Sequence, residues 1–390
     1  MSEYRYFEFR AIDHPLTDSE MKELRRYSSR ATITPTSFVN VYNWGDFKGD
    51  RRVWLERYFD AFLYVANWGT HQLEFRLPKR LLDPETVSAY CTEESLACYA
   101  KSDFVIVAFD SEDESGEWAE GEGWLASLAP LRTDLMNGDL RCLYLGWLAS
   151  VQGNWVYEKG CDNDESEPPV PPGLGALSSP LQSLADFLRI DPDWIAAAAE
   201  NSGEVHAVAL TREEIAGWVA HLPPEEKDTS LVRLIDGGDV HFAAELRQRA
   251  TRGIRKARST DEHDFLNRKR RNVGALAARA DAIAQERQAR EARVRARTKA
   301  KREREAVEAR KKHVQSLVGK EDSLWPKVRR LIATRQPKRY DEAVSLLEDL
   351  RDLAAMGQQD NAFASRIKAL CREHARKPTL LDRLRRANLV

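Results

Sequence analysis

The chain has 390 residues, 42% of them apolar, with ten Trp, eleven Tyr and thirteen Phe, enough for two or three packed domains. Its formal charge of -2 hides a sorting by position: residues 1–240 carry 21 Lys and Arg against 42 Asp and Glu, whereas residues 241–390 carry 39 against 20. No run of ~18 uncharged apolar residues exists, so no membrane-spanning helix is predicted.

The five cysteines (Cys91, Cys98, Cys142, Cys161, Cys371) form no CxxC pair. They read as reduced thiols of a cytoplasmic protein rather than as a disulfide framework. The opening Met1-Ser2-Glu3-Tyr4-Arg5-Tyr6 lacks the basic-then-apolar layout of a secretory signal.

Residues 4–12 alternate aromatic with polar side chains and predict a strand. Thr17 with Glu20 three positions on is a capping box that opens a helix to about Ser28. Residues 32–44 are β-branched and aromatic, hence strand-like, and run into the turn-rich Gly45-Asp46-Phe47-Lys48-Gly49-Asp50. A short helix over 51–59 follows. Residues 62–68 and 71–77 straddle Gly69-Thr70 as a β-hairpin. A helix over 84–90 precedes a strand at 103–109, the most apolar in the chain. The irregular alternation of strands and helices predicts an α+β domain over residues 1–160, followed by an all-α C-terminal half.

Residues 110–123 are acidic and Gly-rich, and 124–151 predict one or two apolar helices broken near Pro130 or Asn137-Gly138. Residues 161–175 contain Pro168-Pro169-Val170-Pro171-Pro172-Gly173 and read as a linker, since proline continues neither helix nor sheet. A small helical domain is expected over 176–250. Leu181, Leu184, Phe187 and Leu188 have helical spacing, Asp191-Pro192 and the Thr211/Glu214 box open helices, and Asp236-Gly237-Gly238 ends one.

Residues 251–320 differ in kind. From 284 to 312 the only large apolar side chains are Val294 and Val307, which leaves no stripe to bury. After Leu276 and Ile283 the next heptad steps are Arg290 and Arg297, so the apolar seam of a coiled coil is not sustained. Pairs such as Glu286 with Arg290, Glu291 with Arg295 and Glu308 with Lys312 support a solvated helix locally, at ~0.2–0.5 kcal/mol each. Residues 321–390 regain amphipathic spacing and predict a helical tail.

The runs Phe7-Glu8-Phe9-Arg10-Ala11-Ile12-Asp13, Ile33-Thr34-Pro35-Thr36-Ser37-Phe38-Val39-Asn40 and Trp44 to Asp50 resemble the opening of a family of bacterial proteins without an assigned activity. From about residue 180 the chain resembles the helical tail of bacterial proteins that carry SWIM-type zinc fingers. The residues that carry this likeness are 186–193, 222–228 and 340–347. The resemblance implies a bacterial cytosolic protein in a nucleic-acid or regulatory setting. It does not extend to zinc: the CxC half of the finger is missing, and Cys371 and His374 stand alone.

The basic segment holds the strongest functional signal. Residues 241–320 contain 24 Lys and Arg against 10 Asp and Glu. On a helix, Arg290, Arg293, Arg297, Lys301 and Arg304 fall on one face, and Arg268-Lys269-Arg270-Arg271 make a second cluster. Such a rod suits phosphate neutralisation, and with no aromatic residues interleaved among these cations base stacking is not expected. The expected partner is nucleic acid or an acidic protein surface, this chain's own front half included. The loop with Trp44, Asp46 and Lys48 is the candidate ligand-binding surface of the front domain. Scattered histidines, the absence of a P-loop or GxGxxG signal, and acidic clusters with the wrong spacing for a calcium loop call for no catalytic residue, metal or cofactor. The leading expectation is therefore a non-enzymatic binding protein. The alternatives are an enzyme with a site near Asp46, Lys48 and Asp110, or an adaptor whose helix is a spacer.

Overall fold

Seven strands form one antiparallel sheet in the computed structural model, in the order β2-β3-β1-β4-β5-β7-β6. The structure describes residues 3–92, 94–113, 120–157, 165–203, 210–258 and 270–390. It falls into two compact units, Met1–Glu286 and Arg287–Val390.

The strands are β1 (Arg5–Arg10), β2 (Thr32–Thr34), β3 (Ser37–Tyr42), β4 (Ala61–Ala66), β5 (His71–Pro78), β6 (Leu96–Lys101) and β7 (Phe104–Ser111). The segment expected as one strand at 32–44 is a β2/β3 hairpin that turns at Pro35-Thr36, where proline removes a ladder donor. At the β4/β5 turn Gly69 has φ +100, and a Cβ there would meet the Asp113 carbonyl oxygen at 1.7 Å. Only glycine fits that turn.

Both faces of the sheet are covered, which is why β4 and β7 read as continuous apolar runs. On one face Phe7, Phe9, Phe38, Phe62 and Ile106 pack with Leu24 of α1 (Asp18–Arg25) and with Trp54 and Leu55 of α2 (Arg51–Arg57). The rings interlock, with Phe9 and Phe62 centroids 4.6 Å apart and Phe38 and Trp54 at 4.8 Å. Such pairs add about 0.5–1.5 kcal/mol each beyond area burial. Both helix starts follow from sequence: Thr17 and Glu20 form the reciprocal capping box, and Asp50 caps the N–H groups of Arg52 and Val53.

On the other face Leu63, Val65, Leu73, Phe75, Val105, Val107 and Phe109 meet a layer of helices. After the short α3 (Pro84–Ser88), these are α4 (Trp124–Leu128), α5 (Pro130–Met136), α6 (Arg141–Tyr157), α7 (Ser179–Phe187) and α8 (Pro192–Ala199). The proline-rich segment before α7 is packed rather than a free tether. Pro168 is buried, the Tyr90 hydroxyl donates to the Pro169 carbonyl at 2.8 Å, and the Ser202 hydroxyl donates to that of Pro171 at 2.7 Å. Proline bars the segment from helix and ladder but not from a core. Leu181, Leu184 and Phe187 consequently share the sheet's core instead of founding a separate domain. Helices α9 (Arg212–His221), α10 (Pro224–Asp236) and α11 (Phe242–Arg258) follow, and α10 ends at Gly237 with φ 64, as Asp236-Gly237-Gly238 predicted.

Helix α12 (Val273–Gln315) runs for 43 residues. Its first turns belong to the front unit, where Val273, Leu276, Ala277 and Ala280 enter the core below the sheet. In the second unit α13 (Glu321–Ala333), α14 (Pro337–Met356), α15 (Asp360–Glu373) and α16 (Pro378–Arg386) enclose a core that includes Val328, Ile332, Leu347, Leu350, Ile367, Leu370, Leu380 and Leu384. The last turns of α12 join that unit. Val314 is buried, and Arg310 and His313 reach the carboxylates of Asp349 and Asp352 on α14.

No described helix is long and apolar enough to cross a membrane.

Candidate functional site

Between its two rooted ends α12 is bare: every residue from 285 to 309 is exposed. Residues 290–304 carry eight Lys and Arg against two carboxylates, over roughly 21 Å of helix. At 3.6 residues per turn Arg290, Arg293, Arg297, Lys301 and Arg304 share an arc of ~80°, and both carboxylates of that stretch, Glu291 and Glu303, lie off it. Among the described residues Arg290, Arg293, Arg297 and Arg304 have no ion pair, and Lys301 lies 3.7 Å from Glu305. The local pairs that hold the helix are Glu291 with Arg295 at 3.5 Å and Glu308 with Lys312 at 2.8 Å, while Glu286 turns back to Arg279 at 3.2 Å.

The second basic cluster divides. Arg268 and Lys269 lie outside the described residues, and Arg270 is exposed. Arg271 points into the front core instead, where it pairs with Glu167 and donates to the Ala197 carbonyl at 2.8 Å.

In the front domain Trp44 is 81% exposed. The loop that carries it is pinned by Arg5, which donates to the Gly45 carbonyl at 2.7 Å, pairs with Asp46 at 3.3 Å and lies over the Trp68 ring. Lys48 is exposed, and Phe47 turns inward against Phe7 and Trp54. Asp110 sits elsewhere, in a network across β5 and β7. It accepts from Gln72 at 2.6 Å, while Arg51 pairs with Glu74 at 2.8 Å and the Tyr99 hydroxyl donates to Glu74 at 3.2 Å. Burial raises the pKa of both Glu74 and Asp110 from the ordinary carboxylate value. Among the described residues no group of three or more His, Cys, Asp or Glu is placed to hold a metal ion.

One constellation joins residues that sequence spacing cannot connect. Arg132 of α5, 2% exposed, grips Asp13 at two points, 2.8 Å from Nη1 to Oδ1 and 2.6 Å from Nη2 to Oδ2. His241, just before α11, donates from Nε2 to Asp13 Oδ2 at 2.8 Å across 228 positions. Behind them Asp60 accepts from Arg76 at 2.6 Å and from the backbone N–H groups of Ile12 and Asp13 at 2.7 and 2.9 Å. Burial alone raises the pKa of Asp13, but the bonds from His241 and Arg132 outweigh it and hold the carboxyl well below the usual range. Asp13, Arg76, Arg132 and His241 line an open pocket of about 520 Å³, whose apolar wall is Leu77, Pro78 and Phe104 and whose lining also includes His14, Lys79, Arg80 and Asp103.

Compared with profiles of known protein families, with curated proteins and with solved structures, the chain matches none.

Proposed function

We propose that the protein is a binding protein whose basic helix α12 lies along the phosphate backbone of nucleic acid. The observation that carries this reading is the run 285–309, fully exposed, with Arg290, Arg293, Arg297, Lys301 and Arg304 on one face and four of them without an ion pair among the described residues. A cation face with no internal counter-ions condenses onto phosphates and releases their bound cations. Nucleic acid suits this face better than an acidic protein. Protein interfaces are built around a desolvated apolar or aromatic centre, and from 284 to 312 only Val294 and Val307 are large and apolar. With no aromatic residue on the segment, the contact is with backbone and independent of base sequence.

The test compares the full chain with a variant carrying Gln at 290, 293, 297, 301 and 304. Binding to mixed-sequence DNA and RNA is followed by fluorescence anisotropy across a salt series, with helicity checked by circular dichroism. Gln keeps helix propensity close to that of Arg and Lys. The expected result is a log–log salt slope of about -4 for duplex DNA that collapses in the variant. Equal binding by both proteins, or none by the full chain at low salt, overturns the proposal.

A further inference from the structure

Helix α10 is turned inside out. At 3.6 residues per turn Glu226, Ser230 and Arg233 share an arc of ~60°, and this polar side faces the protein. Ser230 is buried, Glu226 pairs with Arg249, and Arg233 pairs with Asp239 at 2.9 Å and lies 3.8 Å over the Phe242 ring. Leu231, Val232 and Ile235 fall on the opposite side, 57%, 66% and 85% exposed. Leu234 and, on α9, Ile215 and Val219 are exposed as well. Clustered apolar side chains in water, rimmed by charge, mark an interaction surface.

Charge and backbone decide what covers it. The arc of ~140° that holds Leu231, Val232 and Ile235 also holds Glu225, Asp228 and Asp236 and no cation. All three carboxylates are exposed and have no ion pair among the described residues. Off that arc Glu213, Arg212 and Lys227 are also outside ion pairs among the described residues, and Lys227 donates to the Ala220 carbonyl at 2.9 Å. A second copy docked face to face would set these carboxylates against their own kind, and anionic lipid would meet the same repulsion. The backbone groups of α10 are paired within the helix, so an extended partner would find no ladder and would bury its own N–H and C=O groups unsatisfied. A partner helix arrives with its backbone already paired. We propose that the outer face of α10 docks a basic amphipathic helix of a partner protein. The apolar side of that helix covers Leu231, Val232 and Ile235, and its Lys or Arg side chains meet Glu225, Asp228 and Asp236. Helix α12 does not fit the description, because from 284 to 312 its only large apolar side chains are Val294 and Val307.

The test titrates the full chain, methyl-labelled at Ile, Leu and Val, with three designed helical peptides. The first carries leucine on one face and lysine on the other, the second has glutamate in place of lysine, and the third has glutamine in place of leucine. NMR locates the contact, and anisotropy of labelled peptide gives the affinity. The expected result is saturable binding of the leucine–lysine peptide that moves the Leu231, Val232 and Ile235 methyls, with the other two at least about tenfold weaker. Leu231→Gln combined with Ile235→Gln weakens binding by about tenfold or more, the loss of two apolar anchors. Both side chains are exposed, so the variant keeps its fold, which circular dichroism checks. Asp228→Asn combined with Asp236→Asn weakens binding at low salt and flattens its salt dependence. The five-Gln α12 variant binds the peptide like wild type, which separates this face from the phosphate-binding one. The proposal is overturned if the glutamine or glutamate peptide binds as tightly as the first, or if the α10 methyls do not respond. It is equally overturned if sedimentation shows a dimer that the Leu231/Ile235 variant dissolves, or if that variant leaves the affinity unchanged.

Discussion

Arg271 and Glu167, 104 positions apart, form a two-point ion pair at the root of α12, with Nε 3.0 Å from Oε2 and Nη2 2.9 Å from Oε1. Glu167 is fully buried and also accepts from the Tyr144 hydroxyl at 2.5 Å. Backbone bonds flank the pair, from Glu167 N to the Arg271 carbonyl and from Val273 N to that of Glu165, both 2.9 Å. The segment before the prolines is thus laced to the start of the long helix. Among the described residues Arg271 is the one cation paired with Glu167.

Removing one partner therefore differs from removing both. Arg271→Ala leaves a buried carboxylate uncompensated and is expected to cost the front unit about 3–5 kcal/mol in urea denaturation. Arg271→Met combined with Glu167→Gln is expected to recover part of that loss, since neither side chain then brings a charge into the core. A single mutant as stable as wild type shows that water reaches the carboxylate.

His71 supplies a pH dependence whose sign can be worked out. It is buried and stacked on Phe187 at 4.8 Å, with Nδ1 2.9 Å from the Phe187 carbonyl and Nε2 3.1 Å from Arg189 Nη2. The guanidinium only donates, so Nε2 accepts, Nδ1 carries the proton and the ring is neutral. Burial lowers its pKa most; the bond to the Phe187 carbonyl opposes it, and the Arg189 charge adds to the lowering against the smaller effect of Asp113. The unfolded chain binds this proton first. The contribution of His71 is therefore complete above the unfolded value of about 6.5 and is lost as pH falls through the depressed folded value. Denaturation at about pH 7.5 and about pH 5 is expected to show a loss in wild type that is smaller in His71→Gln. Equal losses remove His71 as the cause.

Local chemistry was legible and distant pairing was not. Thr17 with Glu20, Asp50, Asp191, Thr211 with Glu214, and Gly237 all cap where their types and spacing indicate, because a cap is decided within four residues. Strand β6, with Ala97, Cys98, Tyr99 and Ala100 at its centre, lacks a β-branched run and is a strand only because β7 pairs with it. The exposed cations of α12 were visible because an unburied face needs no partner to define it. Arg271 was misplaced among them because nothing in Arg268-Lys269-Arg270-Arg271 says which side chain turns toward Glu167. The pocket was invisible for the same reason: Asp13 and His241 are both unremarkable until the fold sets them 2.8 Å apart.

Cys91 and Cys142 are expected to be poor nucleophiles. Burial, reinforced by the neighbouring Cys98 thiol, pushes the pKa of Cys91 up to about 12. Cys142 is fully buried, and burial raises it well above its ordinary value. Since the thiolate is the reacting species, iodoacetamide near pH 8 is expected to label both at least ~10-fold more slowly than the same chain in urea, as read by mass spectrometry of the peptides. Labelling of Cys91 at the unfolded rate shows that this corner of the sheet opens readily.

Helix α12 carries two kinds of position on one continuous backbone, and substitution separates them. Leu276 is fully buried in the core below the sheet, whereas Val307 is 69% exposed. Leu276→Ala removes packed methyl groups and leaves a cavity, which is expected to cost the front unit about 2–5 kcal/mol. Val307→Ala removes no core contact and gains helix propensity, so it is expected to change stability by less than ~0.5 kcal/mol, toward stabilisation. The comparison checks more than two side chains. If α12 is rooted by its first turns and solvated along 285–309, alanine costs large at Val273 and Leu276 fall to near zero at Val294 and Val307. A cost at Val294 matching that at Leu276, measured in the same urea titrations, means that the basic stretch is covered by something in solution. The phosphate-binding face would then have to be sought on another part of the chain.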